Sequence, residues 1–84
     1  MIVVSLYDKK ALTYSPINCV PNVNAFVRVL SDEINSANQS KEIWAVHPED
    51  FSLVSLGTFD ELSGVLTSYP SETTLVELFT LVRT

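Results

Sequence analysis

The sequence of 84 residues has only one cysteine, one histidine and two glycines, and each shortage bears on a class of site. Cys19 has no second cysteine for an internal disulfide, which favours a reducing cytosol. Gly57 and Gly64 are too few for a glycine-rich loop that cradles phosphate groups. Cys19 and His47 are separated by a predicted helix, and nothing indicates an activated thiol. We therefore expect no enzyme and no cofactor, and we interpret Cys19 as a small buried side chain near a turn.

Positive charge is also scarce. Five Lys and Arg residues stand against ten Asp and Glu residues, which gives a net charge of -5. A free-standing nucleic-acid-binding domain usually carries a basic surface, because contacts with phosphates supply most of its affinity. The composition argues against such a surface unless folding gathers the few cations locally. An acidic protein can also act by attracting basic proteins.

No hydrophobic run is long enough to cross a membrane. The first apolar run, residues 2–6, is followed at once by Tyr7, Asp8, Lys9 and Lys10, and it lacks a basic region before it. A signal peptide or a membrane span needs a longer apolar stretch. We expect a strand here, and a protein that remains in the cytosol without a membrane partner.

The length and the apolar content predict one folded domain over residues 1–84. Hydrophobic residues make up 46% of the sequence, which is normal for a globular protein. A chain this short buries only roughly 60–65% of its unfolded surface, so its stability margin is small. Self-association is a physical way to increase that margin, and we expect a homodimer or a larger homo-oligomer.

The clearest predicted element is one helix. Asn22 is a good N-cap because its short side chain accepts from free N–H groups of the first turn. The apolar residues that follow recur at helical spacing and form one stripe. They are Val23, Phe26, Val27, Leu30 and Ile34. Residues 35–40 are polar and predict a fraying end and a loop.

Several strands are predicted around this helix. Residues 2–7 form one strand, residues 12–14 return antiparallel, and Phe51 to Phe59 form a central strand with apolar residues on both faces. The loop from Asp60 to Gly64, with glycine at a positive φ, leads into a returning strand at residues 65–67. Residues 41–46 are ambiguous between a short helix and a loop anchored by a tryptophan.

The C-terminal segment, residues 71–82, fits two patterns. Leu75, Leu78, Phe79 and Val82 have helical spacing, whereas Val76, Leu78, Thr80 and Val82 alternate as in a strand. We favour a short helix. The predicted fold class is α+β, with a small antiparallel sheet of three to four strands packed by one main helix.

The candidate functional residues are cations and aromatic side chains. Proteins that bind single strands combine a cationic groove with aromatic platforms for the bases. Lys9 and Lys10 lie between Tyr7 and Tyr14 and form the most suggestive cluster. An ordinary charged hairpin turn explains the same cluster, and a tryptophan such as Trp44 is more often an anchor in the core than a platform for bases. The candidate nucleic-acid-binding residues are Lys9, Lys10, Arg28, Lys41, Tyr14 and Trp44.

His47, Glu49 and Asp50 offer metal ligands, but zinc usually needs three or four nitrogen or sulfur ligands at recognisable spacing. A turn fixed by Pro48, with the two carboxylates capping the next segment, explains them better. We expect no metal site.

The order of three stretches resembles a known viral family. YDKKA at residues 7–11 precedes a segment with Pro16, and the helix carrying Phe26 and Arg28 follows. HPEDF at residues 47–51 and LGTFD at residues 56–60 complete the pattern, with Gly64 after them. Over roughly residues 2–66 the chain resembles the small non-structural protein of gokushovirus-type microviruses, which are single-stranded DNA bacteriophages.

The resemblance implies a DNA-binding protein that serves viral genome replication or packaging. It would act in the cytoplasm of the host bacterium and be absent from the mature particle. Our first hypothesis is a non-catalytic phage protein that binds single-stranded DNA as an oligomer. The alternative is an adaptor that binds a procapsid, a replication initiator or a host factor through an acidic or apolar face. A catalytic hypothesis would require Cys19 and His47 in one cleft.

Overall fold

A computed structural model describes residues 1–36 and 41–83 as one antiparallel sheet with a helix packed on one face. The strands are β1 (Ile2–Asp8), β2 (Thr13–Tyr14), β3 (Asn18–Val20), β4 (Phe51–Phe59) and β5 (Leu66–Glu77). The helices are α1 (Val23–Ile34) and α2 (Ile43–Val46), with 3₁₀ turns at Pro48–Asp50 and Leu78–Leu81. The predicted α+β class is confirmed.

β1 forms backbone hydrogen bonds with neighbouring strands along both of its edges. β2 and β3 share one edge of it, where Tyr7 pairs with Tyr14 and Val3 pairs with Cys19. β4 occupies the other edge, where Asp8 pairs with Phe51, and β5 lies beyond β4. The sheet therefore has five strands rather than the three to four expected. The pattern of β3 was missed because three residues after a proline are too few to show alternation.

Cys19 in β3 is exposed, so the expectation of a buried cysteine is wrong. Its strand lies at the edge of the sheet, and the helix covers the neighbouring Val20 instead. A single residue beside a proline-containing break carries no pattern that shows which face it occupies.

The main helix forms as predicted. The Asn22 side chain accepts from the Ala25 N–H at 3.1 Å and caps the first turn. The apolar stripe faces the sheet, where Leu30 is buried and Val23, Phe26, Val27 and Ile34 pack against the core. Of the loop expected after this helix, residues 37–40 lie outside the described part of the chain.

The core lies between α1 and the centre of the sheet. Its buried members are Val4, Leu6, Val20, Leu30, Phe51, Leu53 and Leu78. β4 is covered on both faces at its start, as predicted, because Phe51 to Ser55 are all buried. The ambiguous segment at residues 41–46 contains the short helix α2, whose Trp44 packs against this core. None of the helices within residues 1–36 and 41–83 is long and apolar enough to span a bilayer.

The C-terminal helix expected over residues 71–82 is wrong. β5 continues to Glu77, and only Leu78–Leu81 turn, in a 3₁₀ conformation. Pairing of Thr74 with Val54 and of Val76 with Leu53 fixes the segment as a strand. Tertiary pairing thus overrides a helical spacing of apolar residues, as is common for β-branched sequences.

A large bulge of four residues interrupts β5. Ser68 pairs with Gly57 and Thr73 with Ser55, so residues 69–72 stand opposite Leu56 alone. Pro70 lies inside this bulge, where its missing N–H costs no ladder hydrogen bond. The bulge moves Tyr69 to Glu72 away from the regular path of the strand.

The β4–β5 hairpin closes as predicted. Asp60 Oδ1 accepts from the N–H groups of Leu62 and Ser63, and Gly64 has a φ of 76°. Gly57 is needed for a different reason. A Cβ atom there would lie 2.0 Å from the Thr67 carbonyl oxygen, so only glycine allows β5 to approach.

These two glycines predict unequal losses of stability on substitution by alanine. Gly57→Ala forces β4 and β5 apart and should lower the free energy of unfolding by about 3 kcal/mol. Gly64→Ala meets nothing within 4 Å and carries only the strain of its positive φ, about 1 kcal/mol. Urea unfolding of both variants measures the difference. Equal losses would contradict the close strand approach.

Candidate nucleic-acid interface

The turn that carries Lys9 and Lys10 is held by hydrogen bonds from its main-chain N–H groups. Asp8 Oδ1 accepts from the N–H of Lys10 at 2.9 Å and of Ala11 at 3.1 Å. The Lys9 N–H donates to the Asp50 carbonyl oxygen at 2.9 Å. The turn is therefore fixed beside the 3₁₀ turn Pro48–Asp50, and both lysines are exposed there.

Lys9 is not free in this arrangement. Its Nζ lies 2.8 Å from Glu77 Oε2, and the Ser52 hydroxyl donates to the same carboxylate, 2.8 Å from each oxygen. The Lys9 and Glu77 side chains are 40% and 34% exposed. The hydrogen bond from Lys9, followed by that from Ser52, holds the pKa of Glu77 below its ordinary value of 4.5.

This lowered pKa predicts an acid-dependent part of the stability. Because folding favours the ionised Glu77, its contribution is present above the pKa of the unfolded chain and is lost as the pH falls through the lower folded pKa. As the pH falls from about 7 to about 3, the free energy of unfolding of the Glu77→Gln variant should decrease less than that of the parent protein. Urea unfolding at each pH measures both. The exposed loop residue Glu61, changed to Gln, is the control. Identical pH profiles for Glu77→Gln and the parent would contradict the contact.

Two further cations lie at the same end of the sheet. Lys41 precedes α2, which packs against α1 and against the turn Pro48–Asp50. The N–H of Arg83 donates to Asn35 Oδ1 at 2.7 Å, and Asn35 Nδ2 donates to the Leu81 carbonyl oxygen at 2.8 Å. The end of α1, the end of β5 and the β1–β2 turn therefore meet. Four of the five cations, Lys9, Lys10, Lys41 and Arg83, lie toward this end of the sheet. They do not share one face: Lys9 Nζ joins Glu77 and Ser52 on the face away from the core, whereas Arg83 and α2 contact α1.

Carboxylates are interleaved with these cations, and several are committed to internal contacts. Arg83 Nη2 lies 3.4 Å from Asp32 Oδ1, and Glu77 is bound by Lys9. Within residues 1–36 and 41–83, Lys10 and Lys41 have no ion pair with an acidic side chain. Arg28, the fifth cation, is exposed in the middle of α1 and also lacks such a partner in that part of the chain.

The two predicted stacking residues have different environments. The Tyr14 ring centroid lies 4.7 Å from that of Tyr7, and its hydroxyl donates to Glu72 in the bulge of β5. This hydrogen bond, with a smaller effect of burial, raises the pKa of Tyr14. Tyr14 remains 48% exposed, so its role in stacking stays a prediction. Trp44 packs partly buried against the core, as expected for an anchor, and its stacking role also stays a prediction.

His47 and Cys19 lie far apart. His47 precedes the turn beside Lys9, whereas Cys19 pairs with Val3 near the start of β1. At about 3.3 Å per residue, this separation along β1 is on the order of 20 Å. The cleft that a catalytic thiol–imidazole pair would require does not form between them.

The three potential metal ligands are close together but open to solvent. The ligand atoms of His47, Glu49 and Asp50 lie within 4.8 Å of one another, and His47 Nδ1 is 3.5 Å from Glu49 Oε1. His47 and Glu49 are exposed. Exposed neighbours on a tight turn approach in this way without a metal, so the arrangement gives no reason to revise the prediction of no metal site.

An apolar groove was missed by sequence reasoning. It has a volume of about 430 Å³ and lies between the start of α1 and the bulge of β5. Ile2 and Val23 form one side, and Pro70 and Leu75 form the other. The proline inside a strand was the available signal, but the bulge depends on pairing with β4 that no local pattern shows.

A comparison with known protein families gives a match over most of the chain. The model of the family described as Phage ORF5 protein matches residues 1–81. No curated protein and no solved structure gives a significant match.

Proposed function

Because the chain belongs to the Phage ORF5 protein family, we propose that it is a non-catalytic phage protein that binds single-stranded DNA. It serves replication or packaging of the viral genome. We further propose that it comes from a gokushovirus-type microvirus, as the YDKKA and HPEDF stretches suggest. It acts in the host bacterial cytoplasm and is absent from the virion.

One observation supports this proposal above the others. Segments that are distant in sequence bring Lys9, Lys10, Lys41 and Arg83 to the same end of the sheet. A polyanion gains affinity from each cation that it neutralises, because counterions are released from its phosphates. Lys10 and Lys41 are the best placed of the four, since they have no acidic partner in the described residues. Arg28, which is exposed in the middle of α1, is a further phosphate contact in this proposal.

Self-association of the chain would increase the number of cations presented to one DNA strand. One chain supplies few cations, so a homo-oligomer that presents several such ends to one strand gains affinity by multivalency. Tyr14, whose ring is half exposed beside Tyr7, stacks on bases in this arrangement. Trp44, which is only partly buried, is the second stacking residue in this proposal.

Salt-dependent binding tests the proposal. The log of the affinity for a labelled single-stranded oligonucleotide should fall linearly with log salt from about 50 mM to about 200 mM, by roughly 0.7 for each phosphate neutralised. Lys10→Gln and Lys41→Gln should each reduce this slope by about 0.7. Parent protein that shows no binding at the lower salt would contradict the proposal.

A charge-matched control separates local contacts from net charge. Leu62 is 97% exposed at the tip of the β4–β5 hairpin, far from the cations. Leu62→Glu changes the net charge by the same amount as Lys10→Gln and should leave the slope unchanged. Equal effects of the two substitutions would show that only overall charge matters.

An adaptor that binds a procapsid, a replication initiator or a host protein is the second candidate. The apolar groove between Val23 and Leu75 favours it, together with the excess of carboxylates. An adaptor retains its partner after nuclease treatment and is indifferent to Lys9→Ala with Lys10→Ala. The DNA-binding protein loses affinity for its ligand with the same pair of substitutions.

A further inference from the structure

The Glu77 carboxylate occupies a small anion-binding site built by the protein itself. Lys9 Nζ contacts one carboxylate oxygen at 2.8 Å, and the Ser52 hydroxyl lies 2.8 Å from both. An ammonium group and a hydroxyl are also donors that bind a phosphate oxygen. Of the two donors, Lys9 is the one that a DNA phosphate can reach, because its side chain is 40% exposed whereas Ser52 is buried.

We infer that Glu77 fills this site in the free protein and competes with a DNA phosphate for Lys9. The inference rests on the proposed DNA-binding function and adds to it a contact that regulates the affinity for DNA. Lys9 then contributes to DNA binding only when Glu77 is displaced or neutralised. Glu77 therefore limits the affinity of the cationic end for DNA.

The exposure of the three residues suits such a competition. Lys9 and Glu77 are open to solvent, at 40% and 34% exposure, so a phosphate reaches Lys9 without unfolding. Ser52 is only 4% exposed, and its hydroxyl holds the carboxylate from the inside. An exposed ion pair is worth about fivefold in an equilibrium constant at most. A phosphate on a polyanion can therefore compete with it.

The position of Lys9 does not depend on Glu77 alone. Its N–H is bonded to the Asp50 carbonyl oxygen, which fixes the turn. Asp8 is committed to the N–H groups of Lys10 and Ala11. Removal of the charge on Glu77 thus leaves the turn that carries Lys9 in place.

Glu77→Gln tests the inference because it removes the charge and keeps an acceptor for Ser52. Binding of a single-stranded oligonucleotide is measured across salt concentrations. The affinity at low salt should rise by about fivefold, and the slope should steepen by about 0.7, which corresponds to one more phosphate contact. Glu61→Gln is the control, since it makes the same charge change on the distant hairpin loop.

Lys9→Gln in two backgrounds identifies the cation. It should have little effect in the parent protein and should abolish the gain in the Glu77→Gln variant. The inference is overturned if Glu77→Gln behaves as Glu61→Gln does, or if the gain survives Lys9→Gln. In either case, DNA binding by the parent protein still stands, whereas no binding by parent and variant overturns both proposals.

Retention of the fold is checked by circular dichroism and thermal unfolding. Glu77→Thr is the second variant should Glu77→Gln unfold, because threonine suits a strand and its hydroxyl can accept from Ser52. Both variants carry the same expectation for affinity and slope.

Discussion

The pairing of β1 on both of its edges determines how the rest of the molecule is arranged. Its seven residues pair with β2 and β3 along one edge and with β4 along the other. Where β1 ends, β4 begins and β5 finishes, because all neighbouring strands are antiparallel. The main helix ends there as well, through the contact of Asn35 with Leu81. Cations from three distant parts of the sequence are therefore placed at one end.

This end of the sheet carries internal ion pairs and is not a uniform basic surface. Exposed ion pairs such as Lys9–Glu77 and Arg83–Asp32 contribute little to stability, but each occupies a cation that could otherwise contact a polyanion. The overall charge of -5 repels nucleic acid at a distance. Binding then depends on several local cations presented together, which connects the proposed function to assembly of the protein.

Much of the fold could be predicted because its signals are local. The stripe of α1, the Asn22 cap and the Asp60–Gly64 turn each depend on residues within a few positions of one another. The C-terminal strand could not be predicted, since its apolar residues fit a helix until pairing with β4 decides between the two. β3 was too short to show a pattern.

The candidate site likewise contains local features that the sequence predicts and long-range contacts that it does not. The turn containing Lys9 and Lys10 was predicted from its sequence, but the partner of Lys9 is 68 positions away. The bond from Tyr14 to Glu72 spans 58 positions. No periodicity or spacing encodes such contacts, because they arise from the order of strands in the sheet. The composition shows that cations are few, and only the fold shows that Lys9, Lys10, Lys41 and Arg83 lie toward the same end of the sheet.

In the proposed function, single-stranded DNA contacts the end of the sheet where β1 finishes. Titration of the ¹⁵N-labelled protein with a single-stranded oligonucleotide, followed by amide chemical shifts, locates the contact. We expect shifts at Lys9, Lys10, Lys41 and Arg83, with the hairpin tip at residues 60–65 unchanged. Shifts confined to the hairpin tip, or none at all, would contradict it.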